Sequence, residues 1–255
     1  MSPALPALDL NADLGEGTGR DEALMEVLTS ANVACGGHTG DESTMRAACA
    51  LAGEHGVHVG AHPSYPDREN FGRAATRISG PELRRRLAAQ VAALVECAAL
   101  EGVPVRYLKP HGALYHRVAV DPGHAAAIVG VAAEFALPLL LAPPALAPGA
   151  ALARAATERG VHLVAEGFAD RGYLATGGLV PRGEPGDLLH DPVRITERIL
   201  DLVRTGDVTA VDGTRLPLPV RSICVHSDTP EAVAIARRLA EALTAAGLPP
   251  RPFTR

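Results

Sequence analysis

The chain is nearly without lysine. Its 255 residues include 24 lysines and arginines, and one of them, Lys109, is a lysine. Tryptophan is absent and aromatic residues make up 3% of the chain. The core must then be packed from Ala, Val, Leu and Ile. Net charge is −5, and no basic run exceeds Arg84-Arg85-Arg86. Nucleic-acid binding favours a basic face and stacking aromatics, so that class is excluded. The arginine triplet falls in a helical pattern and reads as a solvated face. Cys35, Cys49, Cys97 and Cys224 form no CxxC pair. They read as buried free thiols in a reducing cytoplasm, although Cys35 adjoins a glycine-rich loop. The opening "MSPALPALDLNADLGEG" has neither a basic nor an apolar leader region, so no signal peptide is expected. The most apolar stretch, 125–153, is broken by Glu134, Pro138, Pro143, Pro144 and Pro148. It predicts helix, buried strand and Pro-rich loop, not a membrane span. HExxH, G-x-S-x-G and G-x-x-x-x-G-K-[ST] are missing, so those zinc, serine-nucleophile and P-loop chemistries have no support.

What is present is an alternation of short apolar runs and longer helical patterns. Runs at 8–12, 32–35, 57–61, 105–109, 137–142, 161–166 and 222–226 have the length and bounding Gly or Pro of strands buried on both faces. Ser79-Gly80-Pro81-Glu82 opens a helix with Leu83, Leu87, Val91, Leu94 and Ala98 on one face, ended by Gly102. Asp121-Pro122, Asp191-Pro192 and Thr229-Pro230 each place a capping side chain before a proline. Further helices are expected at 22–30 and 41–54. Such alternation gives a parallel sheet with crossover helices. No linker divides the chain, so one domain over 1–255 is expected.

An open doubly wound sheet and a closed barrel both fit this pattern. An open sheet collects ligands at one switch point, whereas a barrel collects them from all strand ends. Here reactive side chains follow nearly every run. The even spread favours an α/β fold of TIM-like β/α-barrel type, with seven strands rather than eight. The poorly patterned region 172–189 is the place for an irregular strand or a lid.

Asn11 and Asp13 share one side of the first run, with Glu16 just beyond. A buried strand tolerates polar residues where they face a site; helix capping is the plain alternative. "NVACGGHTGD" supplies His38 in a glycine turn that suits an anion, or simply a tight strand-to-helix turn. "VGAHPSYPD" supplies His62 beside two prolines. His55 and His58 look structural. "LKPHGALYH" supplies Lys109 and His111. A lysine acts as a point charge on an oxyanion or phosphate, or loses its proton when desolvated; arginine does neither in the same way. "EGFADRGY" supplies Glu166, Asp170 and Arg171, read either as a surface ion pair or as a carboxylate clamp. "CVHSDTP" supplies His226 and Asp228, the latter read alternatively as a helix cap alone.

Taken together, "DLNADLGEG", "NVACGGHTGD", "GAHPSYPDRENFGR", "LKPHGALYH", "FADRGYLATGGLVPRG" and "SICVHSDTP" resemble the LamB/YcsF family, in order and across nearly the whole chain. The resemblance implies a barrel similar to the seven-stranded barrels of glycoside hydrolases and deacetylases. It implies the A component of a 5-oxoprolinase, acting with subunits B and C to cleave 5-oxo-L-proline to L-glutamate with ATP hydrolysis. It further implies a cytoplasmic protein, with homo-oligomers allowed. The resemblance assigns no residue roles; the chemistry of opening a lactam makes Asp13, Glu16, Lys109 and His111 the catalytic candidates, with Asn11, His38, His62, Asp170, Arg171 and His226 as substrate-binding candidates. In similar deacetylases an Asp and two His hold a metal, which makes Asp13, His38 and His62 the metal candidates, without the H-x-x-x-H spacing of those enzymes. A stand-alone metal-dependent deacetylase or amidohydrolase, and a non-catalytic organising subunit, are the alternatives.

Overall fold

A computed structural model describes residues 8–255; the leader reading of residues 1–7 lies outside them. Seven parallel strands close on themselves in the order β1 (Asp9–Leu14), β2 (Ser30–Ala34), β3 (His58–His62), β4 (Val105–Leu108), β5 (Leu139–Leu141), β6 (Leu163–Phe168) and β9 (Ser222–Cys224). Between β6 and β9 lies a small antiparallel hairpin, β7 (Asp207–Thr209) with β8 (Arg215–Pro217). The last strand pairs with both β6 and β1, which completes the barrel. The helices are α1 (Asp21–Met25), α2 (Glu42–His55), α3 (Gly80–Leu100), α4 (Gly112–Val120), α5 (Pro122–Glu134), α6 (Pro143–Leu146), α7 (Ala151–Arg159), α8 (Pro192–Thr205) and α9 (Ala232–Ala245). Among the described residues, no helix is long and apolar enough to cross a membrane.

Local chemistry sets these boundaries. Asp121 and Asp191 cap α5 and α8 as their Asp-Pro pairs predict, each accepting from two backbone N–H groups. Asp41 forms a reciprocal capping box with Thr44. Leu83, Leu87, Val91, Leu94 and Ala98 are buried against the barrel. The arginine triplet stays outside, paired with Glu82 and Glu134. All four cysteines are free and buried.

Three expectations are corrected. The first helix, α1, stops well short of residue 30. Thr29 N–H already donates to Leu10 O, so the chain is pairing with β1 before Ser30 opens β2. Thr229 does not cap α9, which starts at Ala232 without a side-chain cap; its hydroxyl donates to Asp170 instead. The hairpin of β7 and β8 is an addition to the expected strands. The segment 172–189 is irregular as predicted, with two isolated bridges, Arg171 with Leu188 and Tyr173 with Leu179.

The barrel lumen is graded along its axis. At the lower end Tyr107, Leu140 and Val164 form a small apolar cluster packed by Phe253. Gly60 makes room for it: a Cβ there would lie 2.2 Å from the Tyr107 ring. Above that plug the lumen turns polar. Tyr107 Oη donates to Asn32, Asn32 donates to Asn11 and Asp13, and Asn11 donates to Glu166 and Ser222. Alternation in β1 sends Asp9, Asn11 and Asp13 into this column, while Leu10, Ala12 and Leu14 join the outer core.

Candidate active site

The column ends on Lys109. Its backbone N–H continues the ladder to Ala61, and its side chain is 2% exposed. Nζ lies 2.9 Å from Glu166 Oε1 and 3.0 Å from Asp13 Oδ1. Weaker partners, Cys224 Sγ at 3.2 Å and Asn11 Oδ1 at 3.4 Å, complete its surroundings. Burial alone pulls the ammonium pKa down, but Asp13, Cys224 and Glu166 outweigh it and hold it well above its ordinary value. Lys109 is therefore a fixed cation and not a proton carrier. Burial likewise opposes ionisation of Asp13, yet His62 and Lys109 hold its carboxyl well below the usual range.

A histidine cluster stands beside this ion pair. His62 Nε2 is 3.5 Å from Asp13 Oδ1, and His111 Nδ1 is 3.0 Å from His62 Nε2. His38 stacks flat on His111 with ring centroids 3.6 Å apart, and its Nε2 lies 2.9 Å from Glu16 Oε1. Burial and the neighbouring Asp13 push the Glu16 carboxyl up to about 7. Burial and the other histidines push His38 and His111 down to about 3 and about 2. The glycine turn that carries His38 is tight, because Gly40 has φ +91° and a Cβ there would meet Ala34 O at 2.7 Å. Its Gly36 N–H donates to Thr39 O within the loop. The turn reading holds for these glycines, and their task is to aim His38 inward.

A cavity of about 330 Å³ opens above these groups. Asp13, His62, Lys109, His111, Arg171 and His226 line it, as does Phe168. Two hollows of about 480 and 520 Å³ lie elsewhere, beside α8 with the hairpin and at the lower end near Phe253. Neither gathers comparable chemistry, so functional groups and not size select the site.

The sequence candidates converge, but not all on the cavity wall. Asn11 is fully buried beneath Lys109 and joins the lumen network. Asp170 is buried behind His226 and accepts from it at 2.9 Å, and from Thr229 at 2.8 Å. Arg171 does not pair with Asp170. It donates Nε to Asp187 O and Nη2 to Val180 O, so it pins the 172–189 segment over the cavity. His38, a metal candidate from the sequence, stands one step back, with both ring nitrogens taken by Glu16 and Ser64. The residues that offer converging ligand atoms are Asp13, Glu16, His62 and His111, all within 4.8 Å of one another.

Other participants went unassigned in the sequence. Glu166 is fully buried against Lys109 and accepts from Tyr115 Oη. The rule that singled out Asn11, a polar residue inside a buried strand, applies equally to Glu166 and Asn32. Arg73 and Arg182, from loops after β3 and β6, meet on Asp228 at the cavity mouth, at 2.9 and 3.7 Å. Asp228 is thus a bridge between two loops and not a helix cap.

The closed seven-stranded β/α barrel, with buried His, carboxylate and lysine groups at its strand C-terminal ends, places the protein among β/α-barrel proteins of this architecture. The chain belongs to the LamB/YcsF family, whose model matches residues 8–255. It is 49% identical over 248 residues to the 5-oxoprolinase A component of Streptomyces avermitilis, covering 94% of this chain and 97% of that protein. It is 46% identical over 254 residues to the protein of the same name from Mycobacterium avium, covering 98% and 100%. The crystal structure of the lactam utilization protein from Thermus thermophilus superposes with a TM-score of 0.88 at 37% identity, covering 97% of this chain and 100% of that one.

Proposed function

We propose that this chain is the lactam-opening subunit of an ATP-dependent 5-oxoprolinase, acting on 5-oxo-L-proline together with subunits B and C in the cytoplasm. The observation that carries this reading is Lys109, a buried permanent cation between two carboxylates at the floor of a cavity sized for a small cyclic amino acid. The relatives' name supports the substrate class.

A five-membered lactam is a stable amide. Opening it requires an activated carbonyl, an aligned water and a proton for the leaving nitrogen. ATP, brought by the partner subunits, transfers its γ-phosphoryl group to the lactam oxygen and leaves as ADP. One water adds to the carbon as the ring C–N bond breaks and the nitrogen takes a proton, and a second water hydrolyses the resulting acyl phosphate to the carboxylate and phosphate. Lys109 supplies a positive field at the lactam oxygen and the phosphoryl group it carries, and it favours the ionised form of Asp13. Asp13, Glu16, His62 and His111 crowd one wall and handle the water and its protons. The substrate carboxylate meets the arginine rim. Arg73 and Arg182 are the principal candidates for that contact, because Arg171 already spends two donors on backbone carbonyls.

The test is turnover of 5-oxo-L-proline by the complex reconstituted with subunits B and C. Lys109→Met lowers kcat by at least about a hundredfold on this reading, the loss typical of one oxyanion-stabilising group. Full activity of that variant refutes the assignment. The His and carboxylate cluster also favours a second reading, a stand-alone metal-dependent amidohydrolase. Turnover by the chain alone, without ATP, separates the two.

A further inference from the structure

The histidine pair fixes its own tautomers. His62 Nδ1 lies 2.8 Å from the Lys109 carbonyl oxygen, which can only accept. Nδ1 therefore carries a hydrogen, and in the neutral ring Nε2 presents a lone pair. His111 Nε2 lies 2.9 Å from the Phe71 carbonyl oxygen, so by the same logic Nδ1 of His111 presents a lone pair. These two lone pairs face each other at 3.0 Å. Two acceptors make no hydrogen bond. The residues are 1% and 4% exposed, so bulk water does not relieve them.

Carboxylates converge on the same point. Asp13 Oδ1 lies 3.5 Å from His62 Nε2, and Glu16 Oε1 lies 3.4 Å from His111 Nδ1. Lys109 and Asn32 both approach Asp13 through Oδ1, which leaves Oδ2 without a hydrogen-bond partner among the described residues. Two imidazole nitrogens and two carboxyl groups meeting in a buried space call for a positive centre between them, a proton on His62 Nε2 in the metal-free chain and a metal ion in its place when one is bound.

We infer that this chain holds one divalent first-row transition ion through His62, His111, Asp13 and Glu16. The mixed nitrogen and oxygen set favours Zn²⁺, Mn²⁺, Fe²⁺ or Co²⁺ over Mg²⁺ and Ca²⁺, which prefer oxygen alone. His38 orients Glu16 from behind, and the carbonyls of Lys109 and Phe71 orient the two ligand rings, the usual arrangement behind metal-bound histidines. When bound, such an ion polarises a carbonyl or lowers the pKa of water. The inference is independent of the lactam reading, since it concerns binding by the chain itself.

The experiment uses the full-length chain, stripped with a chelator and titrated with Co²⁺ alone. Expected are one ion per chain by equilibrium dialysis and visible d–d bands shifted and intensified from those of aqueous Co²⁺. His62→Ala and His111→Ala each return the spectrum to that of aqueous Co²⁺. His38→Gln weakens binding roughly 10–100-fold, as loss of an orienting partner does. His190→Gln, on the exposed flank of the 172–189 segment, changes nothing. Should the ligand variants fail to fold, ¹⁵N NMR of the imidazoles in the metal-free wild type decides. His62 Nε2 and His111 Nδ1 signals that shift on Co²⁺ or Zn²⁺ addition support the site. A proton held on either nitrogen with no response to metal overturns it, as does wild-type binding that survives in both histidine variants.

Discussion

Asp9 and Asp13 lie on one strand, four residues apart, both pointing into the barrel lumen, and their surroundings treat them oppositely. Asp9 sits toward the closed end. Its partners are hydroxyls, with Ser30 at 2.6 Å and Thr29 at 2.7 Å, together with Ser222, and no cation pairs with it among the described residues. Burial there dominates and raises its pKa to about 6. Asp13 sits at the open end, where His62 and Lys109 overcome burial and hold it ionised. The same side chain is held by hydroxyl donors alone at one end, where its pKa rises, and by cationic neighbours at the other, where it falls. The difference between the two ends follows from where the chain places its single lysine and His62. Barrel folds commonly separate stability and chemistry between their two ends in this way.

The strongest way to break the contrast is to remove the cation. Lys109→Met leaves Asp13 and Glu166 buried without compensation and destabilises the fold by about 3–5 kcal/mol, alongside the loss of turnover. Urea unfolding measures this directly. Adding Glu166→Gln to Lys109→Met restores much of the stability and none of the activity, because one buried charge is then gone and the field is still missing. A double variant no more stable than the single one contradicts the pairing.

The closed end gives the mirror result. Leu140→Ala removes packing beneath the polar column. It costs about 2–5 kcal/mol, the range for buried leucines, while kcat per folded molecule stays near wild type. A matching fall in kcat at temperatures where the variant is fully folded shows that the two ends are coupled and not separate.

Much of this division is legible in the sequence. Strand runs bounded by Gly and Pro point to seven strands, and the polar residues following them mark the open end. Asp-Pro pairs locate two helix starts correctly. Thr229-Pro230 carries the same local signal, yet its hydroxyl is drawn to buried Asp170, a tertiary demand that no local rule contains. The hairpin of β7 and β8 escapes because three-residue strands of mixed polarity are too short to show a period. Glu166 is visible but not ranked, since its importance lies in meeting Lys109, which is far away along the chain. The orientation of Arg171 and the facing nitrogens of His62 and His111 depend on hydrogen-bond partners that only the folded chain brings close.

Asp9 sharpens the comparison through pH. Its folded pKa, about 6, lies above the ordinary 3.8. The folded chain therefore keeps a proton that the unfolded chain releases. The sign follows: the contribution is fully present below about pH 4 and is lost as pH rises through 6. At about 1.36 kcal/mol per pH unit, this amounts to roughly 3 kcal/mol at most. Asp9→Asn removes this leg, so the difference in stability between variant and wild type shifts in the variant's favour as pH rises from 4 to 7. An unchanging difference across that range shows that Asp9 is ionised in both states.

The smallest effects belong to the rim. Arg182 and Asp228 are each about a third exposed at the side chain and 3.7 Å apart. An exposed pair of this kind contributes between nothing and about 1 kcal/mol, so Arg182→Gln leaves the melting curve nearly unchanged. Its consequence is kinetic. Asp228 occupies the guanidinium groups of Arg73 and Arg182 where an incoming carboxylate would bind. Arg182→Gln raises KM for 5-oxo-L-proline several-fold with kcat preserved, the signature of binding energy shared equally by ground and transition states. Asp228→Asn, which frees both arginines, lowers KM. Should both substitutions raise KM equally, the rim acts by tying the 73 and 182 loops together, and the carboxylate is held by Arg171 instead.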